Sequence, residues 1–496
     1  VSEPATKSAK KRKPNVGSDP TKGSRVKQWQ YGLYAFALGG SLVLVAANLI
    51  NFAKGNFIPT LLIVTALFAA LSWSLVAARD EGYIEPEGLP VASSEPELTE
   101  FVHGIAQQVN APEPTKIYLT TDAEFGLRER TRFFGLKVYK SDLVLGLPYL
   151  HALSRQEFAS LVAHELAHVA DGEIGEGRRA FRTLNAAAHM IKSERGNPLN
   201  GAFGSYARKV FRSVGGVGTA QEAASDEIAA KLYGSAALAS ALGKHDAIAV
   251  THDELLRDWV VPALQNRLHP TNMFVGFRQV LEDPDRGADR ARTLLKRQDK
   301  VPGEFVLHRC PAERLAALEG APTHAGEVQL ADADEPASTL LDPEAKSEDI
   351  TVGKWASGLM GSTTSPRTWD ELANQIYSVS ASSSTYGFEQ ETADAEDRFE
   401  RAMEWSESGD FTAVDERLNS LATKDDEGTV ETRRTEWAED VVLDAAADLP
   451  GFEWKHNWLG SPELVDASGE SVDPSPIAQS LLDGDSDAAR AAFSAL

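Results

Sequence analysis

The apolar residues of this chain follow three different patterns. Residues 32–50 and 57–78 are nearly continuous apolar runs, each long enough to cross a hydrocarbon core. The six residues between them allow only a tight turn. Farther along, Phe158, Leu161, Val162 and Leu166 recur at helical spacing. Ser154 and Glu157 stand before them as an S-x-x-E capping box, and Gly172 is the expected stop. Residues 220–233 read as a second helix, ended by Gly234. Residues 117–121 and 137–145 read as short strands, and the pattern from 235 to about 320 is mostly helical. Helical patterns return beyond 390. There, residues 402–421 and 480–496 each read as helix, turn and helix, around Gly409-Asp410 and Gly484-Asp485. The fold class expected is mainly α with a small β-sheet, behind an N-terminal two-helix transmembrane hairpin and followed by an acidic, mostly helical C-terminal region.

Charge gives the apolar runs an orientation. The net charge of the 496 residues is -24, yet the first 28 are basic, with Lys10, Lys11, Arg12 and Lys13 in a run. The loop between the runs carries only Lys54. The positive-inside rule then puts the N-terminus in the cytoplasm, and two crossings return the chain to the same side. The expected location is a cell membrane, with two spans and a cytoplasmic catalytic region. The remaining chain is acidic, most obviously beyond residue 330, which argues against nucleic acid as a partner because an acidic body repels phosphate. The single cysteine, Cys310, excludes a disulfide within the chain. Five segments follow from these readings. Residues 1–28 form a basic tail with the composition of disorder, and 29–78 the hairpin. Residues 79–320 form the domain that carries the chemistry. Residues 321–387 are linker-like, although Trp355 and Trp369 suggest some packing, and 388–496 are the acidic helical region.

The chemistry is carried by His164-Glu165-Leu166-Ala167-His168, an H-E-x-x-H motif on the capped helix. Residues four apart project from one helical face, so two imidazoles can share one zinc ion. Glu165 stands beside them, placed to take a proton from a water on the metal. A chance match is expected on the order of once in a hundred chains of this histidine content. A catalytic zinc needs a third ligand, and Glu222 is the best candidate. Asp226 lies four residues on, placed to accept a hydrogen bond from a ligand histidine. The residues alone leave a second reading open, because Thr219 and Glu222 also form a T-x-x-E capping box on a solvated helix. Asp171 and Glu173 sit past the expected helix end, and His189 has no metal-like neighbour.

These residues, with a hairpin upstream, resemble the HtpX and CAAX-prenyl-endopeptidase type of zinc metallopeptidase. Leu143 to Pro148, Leu153-Ser154 and Leu161-Val162-Ala163 are similar to that family's approach to its active-site helix. The resemblance covers roughly residues 85–320 and implies a zincin-like domain. It places the family's E-x-x-x-D on Glu222 and Asp226, making Glu222 the third ligand of one Zn2+ per chain. The family's downstream H-P-x-x-x-x-R falls on His308 and Arg314, with Arg309 in place of proline; His269-Pro270 has the dipeptide without the arginine. His308 and Arg314 are therefore the candidates for stabilising the oxyanion. Two departures stand out. The family's Asn-Ala pair is replaced by the region of Asp122-Ala123-Glu124, and no further spans follow the motif. The basic stretch between His168 and Glu222 reads either as a membrane-surface segment or as a solvated helix pair.

The function expected is a membrane-anchored, zinc-dependent endopeptidase acting on proteins or peptides at the cytoplasmic face, as in membrane-protein quality control. Substrate is expected to bind extended, along an edge strand at 137–145. The alternative from another class is a catalytically idle peptidase fold that serves as a membrane scaffold through its acidic C-terminal region. Processing of prenylated tails ranks lower, because two spans enclose a poor lipid chamber. The expected partners are a protein substrate, the lipid bilayer and a regulatory partner for the C-terminal region.

Overall fold

A computed structural model describes residues 31–32, 34–77, 85–91, 93–132, 137–170, 217–284, 286–287, 290, 311–320, 322–376, 395–421 and 429–496. The chain divides into two compact units. One comprises residues 1–250 and 288–347, the other 251–287 and 348–496.

In the first unit, a π-helical turn, Ala35–Gly39, leads into α1 (Gly40–Ala53), and α2 (Pro59–Ala77) follows. Lys54-Gly55 turns the chain, with Gly55 at φ +75°. The two helices pack together. Ser41 and Ser72 hydroxyls meet at 2.8 Å, Ser72 also donates to the Ala37 carbonyl, and Asn48 Nδ2 donates to Thr65 Oγ1 at 2.6 Å. Gly40 leaves room for the Phe68 ring, which a Cβ would strike at 2.5 Å. The outward side chains are apolar, Leu42, Phe52 and Phe57 each more than 70% exposed. The helix Ala35–Ala53 is long and apolar enough to cross a membrane; in α2 the apolar stretch so recognised is the shorter Pro59–Ala69.

The sheet of this unit contains β1 (Leu89–Pro90), β2 (Lys116–Thr120), β3 (Phe125–Arg132) and β4 (Lys137–Gly146), in the order β1-β2-β4-β3. Helix α3 (Pro96–Gln108) precedes β2. β2 and β4 are parallel, and β3 returns antiparallel to β4 with a register shift at Arg130/Thr131. The expectation of an edge strand at 137–145 is corrected here. β4 is paired on both sides, and the edge strand beside it is β3, whose charged sequence hid it from periodicity. Its neighbour β4 carries the buried Leu143, Val144 and Leu145.

Helix α4 (Leu147–Ala152) leads to α5 (Arg155–Ala167), the helix of the motif. Its N-terminus shows why it starts where it does. Ser154 Oγ accepts from the Glu157 N–H, and Glu157 Oε2 accepts from the Ser154 N–H at 2.8 Å, the capping box expected. The next free donors find carbonyls far along the chain: Arg155 N–H donates to Glu335 and Gln156 N–H to Ala333. Gln156 Nε2 further donates to the Tyr233 and Val328 carbonyls. Residues 328–337 are thus tied to the peptide groups of this unit, whereas sequence composition places them in a linker. Glu157 also receives Lys244 Nζ at 3.0 Å. Phe158 and Val162 of α5 are fully buried.

Helix α6 (Val217–Tyr233) packs against α5, and Gly234, at φ +97°, ends it. It begins before Thr219, so Thr219 is not its cap, and the solvated-cap reading of Glu222 fails because that side chain is buried. Helix α7 (Ser235–Leu255) follows, and α8 (Pro311–Glu319) carries Arg314.

The second unit has helices Ala395–Ser408, Thr412–Leu421, Val430–Ala447, Ser475–Leu482 and Ser486–Phe493. Phe399, Met403, Val414, Trp437, Val442, Ile477 and Leu481 form their shared core. Both expected Gly-Asp turns are present, with Gly409 and Gly484 in the left-handed region. Strands Glu453–Lys455 and Glu463–Val465 form an antiparallel pair, and His269-Pro270 lies in Leu268–Pro270, paired with Ser365–Arg367.

Candidate metal centre

His164 lies in the last turn of α5 and His168 caps it. One turn apart on the same face, their rings meet edge to face with the Nε2 atoms 3.2 Å apart. Both are buried, at 1% and 3% exposure. Helix α6 brings Glu222 to them: Oε1 lies 3.4 Å from His168 Nε2 and Oε2 3.5 Å from His164 Nε2. One donor atom from each of the three residues falls within 4.8 Å of the others.

The opposite ring nitrogens are held. His164 Nδ1 faces Asp226 Oδ1 at 2.9 Å, and His168 Nδ1 faces Ser225 Oγ at 3.2 Å. Both Nε2 atoms are thereby turned toward Glu222. Arg314 stands behind this arrangement. Its Nε and Nη2 donate to the two Asp226 oxygens at 3.1 and 2.5 Å, Nη2 lies 3.1 Å from the His164 ring nitrogens, and Nη1 is 3.6 Å from Glu222 Oε2.

The electrostatics follow from these contacts. Burial works against a charged His164, but hydrogen bonds to Asp226 and Glu222 outweigh it and push its pKa up to about 9. Burial pushes His168 down. Burial also opposes ionisation of Asp226, yet its bonds to His164 and Arg314 hold it below the ordinary carboxylate range. Without metal, then, His164 favours the charged imidazolium and His168 the neutral ring.

The donor set fits a zinc ion. Tetrahedral coordination with Zn–N bonds of 2.0–2.1 Å separates two nitrogens by about 3.3 Å. The observed 3.2 Å needs almost no adjustment. Two neutral imidazoles and a carboxylate leave a fourth position open, as catalytic zinc sites do.

Glu165 lies beside the cluster, partly accessible, near β3. Gly126 of β3 adopts φ +151°, and a Cβ there would stand 3.4 Å from Glu165 Oε2. The outer strand, the open face of Glu165 and the three-residue cluster therefore adjoin.

Over residues 92–319 the chain matches the family model Peptidase family M48. The matched segment is a peptidase family M48 domain. No curated protein and no solved structure matches the chain. The M48 segment contains every residue of the centre, from Gly126 to Arg314, and supports a metallopeptidase, a hydrolase.

Sequence reasoning brought His164, Glu165, His168, Glu222 and Asp226 together, and the structure places all five in this centre. Arg314 is also here, on a helix and against Asp226. His308 lies outside the described residues, as do Cys310, His189, Asp171, Glu173 and the basic stretch between the motif and α6. Two residues were missed. Ser225 had a signal, since it lies three residues from Glu222 on the same helical face. Gly126 had none, because only the placement of β3 against α5 gives it meaning.

Proposed function

We propose that this M48 protein is a membrane-anchored zinc endopeptidase that hydrolyses peptide bonds of protein substrates at the cytoplasmic membrane face, in the quality control of membrane proteins. The observation that carries the catalytic part is the convergence of two imidazole Nε2 atoms and the Glu222 carboxylate beside Glu165. His164, His168 and Glu222 would hold the metal. When bound, zinc supplies a Lewis acid for the scissile carbonyl and makes water acidic enough to ionise near neutral pH.

The rest belongs to the chain's own side chains. Glu165 takes the proton of the attacking water and delivers it to the leaving amine. Asp226 accepts from His164 Nδ1, fixing the tautomer that offers Nε2. Ser225 does the same office for His168. Arg314 balances the two carboxylates and orients His164, so its part is that of a positioning residue; the earlier expectation of an oxyanion donor would require it to leave Asp226. The outer strand β3 offers its backbone to an extended substrate by strand addition, and Gly126 keeps Glu165 open to it.

The membrane part rests on α1 and α2. Their outward side chains are apolar, while Ser41, Ser72, Asn48 and Thr65 bond to one another between the helices, as polar groups in a bilayer must. The basic run at Lys10 to Lys13 supports a cytoplasmic N-terminus. The idle-scaffold alternative gains no support from a centre in which Glu165 is retained beside the metal ligands.

Glu165→Gln tests the catalytic reading. The variant is expected to keep one zinc per chain by elemental analysis and to lose casein cleavage. Cleavage at the wild-type rate would remove Glu165 from its role. Glu222→Ala is expected to lose the metal; full retention would show that another residue ligates it.

A further inference from the structure

The second unit has a cleft of about 640 Å³ that the peptidase chemistry does not use. Part of its wall is aromatic. His456 stacks on Trp369 at 4.6 Å with an interplanar angle of 27°, and it meets Trp259 and Trp458 edge-on, each at 4.5 Å. Trp259, Trp369 and His456 line the opening, together with Asp258, Asn266 and Arg286.

These walls are fixed before any ligand arrives. The His456 backbone N–H donates to Asp370 Oδ1 at 3.0 Å, and Trp369 Nε1 donates to the Asn272 carbonyl at 3.3 Å. The Trp458 indole lies where a Cβ on Gly276 would be, 2.0 Å from it, so glycine is the residue that lets this ring pack. Asn374 ties the neighbouring strand by accepting from Trp454 N–H and donating to its carbonyl. Rigid aromatic surface of this kind binds at low entropic cost.

Charge selects the ligand. This unit holds 38 Asp and Glu against 14 Lys and Arg, so the whole net charge of -24 resides on it and the first unit is neutral. A field of that size draws cations and repels anions. Arg286, the one Lys or Arg among the lining residues, is set against Asp283 Oδ2 and the Leu459 carbonyl. His456 does not add to the positive charge, because burial pushes its pKa down to about 4. Its Nε2 is buried and has no hydrogen-bond partner among the described residues. Indole faces in a negative field are the setting in which a lysine or arginine side chain is attracted to a ring.

We infer that this cleft binds a basic segment of an extended peptide, seating a lysine or arginine side chain against Trp259 and Trp369 while Asn266 and the rim polar groups take the peptide backbone. Its volume is within the range of ligand pockets and holds one long side chain with its flanking residues. The site serves to retain cationic protein segments. It does not depend on the metal centre.

The test uses the full-length chain in detergent micelles, as Glu165→Gln and with a chelator present, so that neither cleavage nor metal enters. A fluorescein-labelled dodecapeptide of alternating glycine and lysine is titrated by fluorescence anisotropy, beside its glutamate counterpart. Saturable binding of the lysine peptide is expected at micromolar concentration, with no binding of the glutamate peptide. Trp259→Ala is expected to weaken the lysine peptide at least tenfold, and Trp259→Phe to restore most of it. Equal binding of the lysine peptide by Trp259→Ala would overturn the inference, since attraction to the acidic surface alone would then suffice. So would equal binding of the two peptides. Circular dichroism of both Trp259 variants separates loss of the site from loss of the fold, and the phenylalanine variant keeps the inference falsifiable if the alanine variant does not fold. Because no step requires zinc, failure here leaves the peptidase reading intact, and failure of that reading leaves this one intact.

Discussion

Replacing Arg314 with methionine removes a guanidinium that faces both Asp226 and Glu222 while keeping much of the side-chain volume. Arg314, Asp226 and Glu222 are 8%, 6% and 3% exposed, so water cannot take over the lost contacts. Removing one partner of a buried, hydrogen-bonded charge pair costs about 3–5 kcal/mol, chiefly because the other charge stays buried. For a unit of this size each kcal/mol moves the melting temperature by roughly 2–4 °C, so a loss of roughly 6–20 °C is expected without metal. Zinc neutralises the same carboxylates, so adding it should recover a larger share of stability in the variant than in the wild type. Differential scanning calorimetry in detergent is the suitable assay. Seven of the nine tryptophans lie in the other compact unit, and intrinsic fluorescence would report mainly on that one. An oxyanion donor would behave differently: its loss would lower kcat about 10²–10³-fold with little change in stability. A metal-free melting temperature within 2 °C of wild type, together with such a fall in kcat, would refute the positioning role.

Two further outcomes follow from the same geometry. Metal binding must displace the extra proton that His164 holds below its raised pKa of about 9 in the metal-free centre. Zinc should therefore bind more tightly as pH rises, by about tenfold per unit from 7 until the gain levels off near 9; a competition titration with a chromophoric chelator that shows no dependence would contradict this. Gly126→Ala forces an L side chain to φ +151° and places a methyl 3.4 Å from Glu165 Oε2. A loss of about 1–3 kcal/mol in stability is expected, with a fall in kcat/KM of at least several-fold, and peptide cleavage equal to wild type would show that β3 does not adjoin the reacting groups.

The local elements were legible where one segment supplied its own reasons. Ser154 and Glu157 announce the start of α5 because both halves of the capping box lie within four residues. Gly234, Gly409 and Gly484 mark helix ends because only the left-handed conformation they allow closes those turns. The outer strand β3 was not legible: Phe125–Arg132 reads FGLRERTR, and half of it is charged. A strand at the rim of a sheet need not alternate, since water satisfies its outer face. The stretch 328–337 was misjudged for a related reason. Its composition is that of a linker, but it serves α5 through its carbonyls, which composition does not encode.

By itself the sequence determined the histidine pair. His164 and His168 are four apart on a helix, and the pitch of that helix alone sets them side by side. It also determined that two apolar runs stand apart from an acidic remainder. Everything that turns this pair into a centre was decided by tertiary structure. Whether Glu222 capped a helix or completed the donor set depended on α6 packing against α5. Whether Arg314 met substrate or Asp226 depended on where α8 lies. The physical reason is that helical spacing is local, whereas the meeting of buried charges drawn from three distant segments is fixed only when those segments pack. There each carboxylate has to find a cation or a proton before it can leave water.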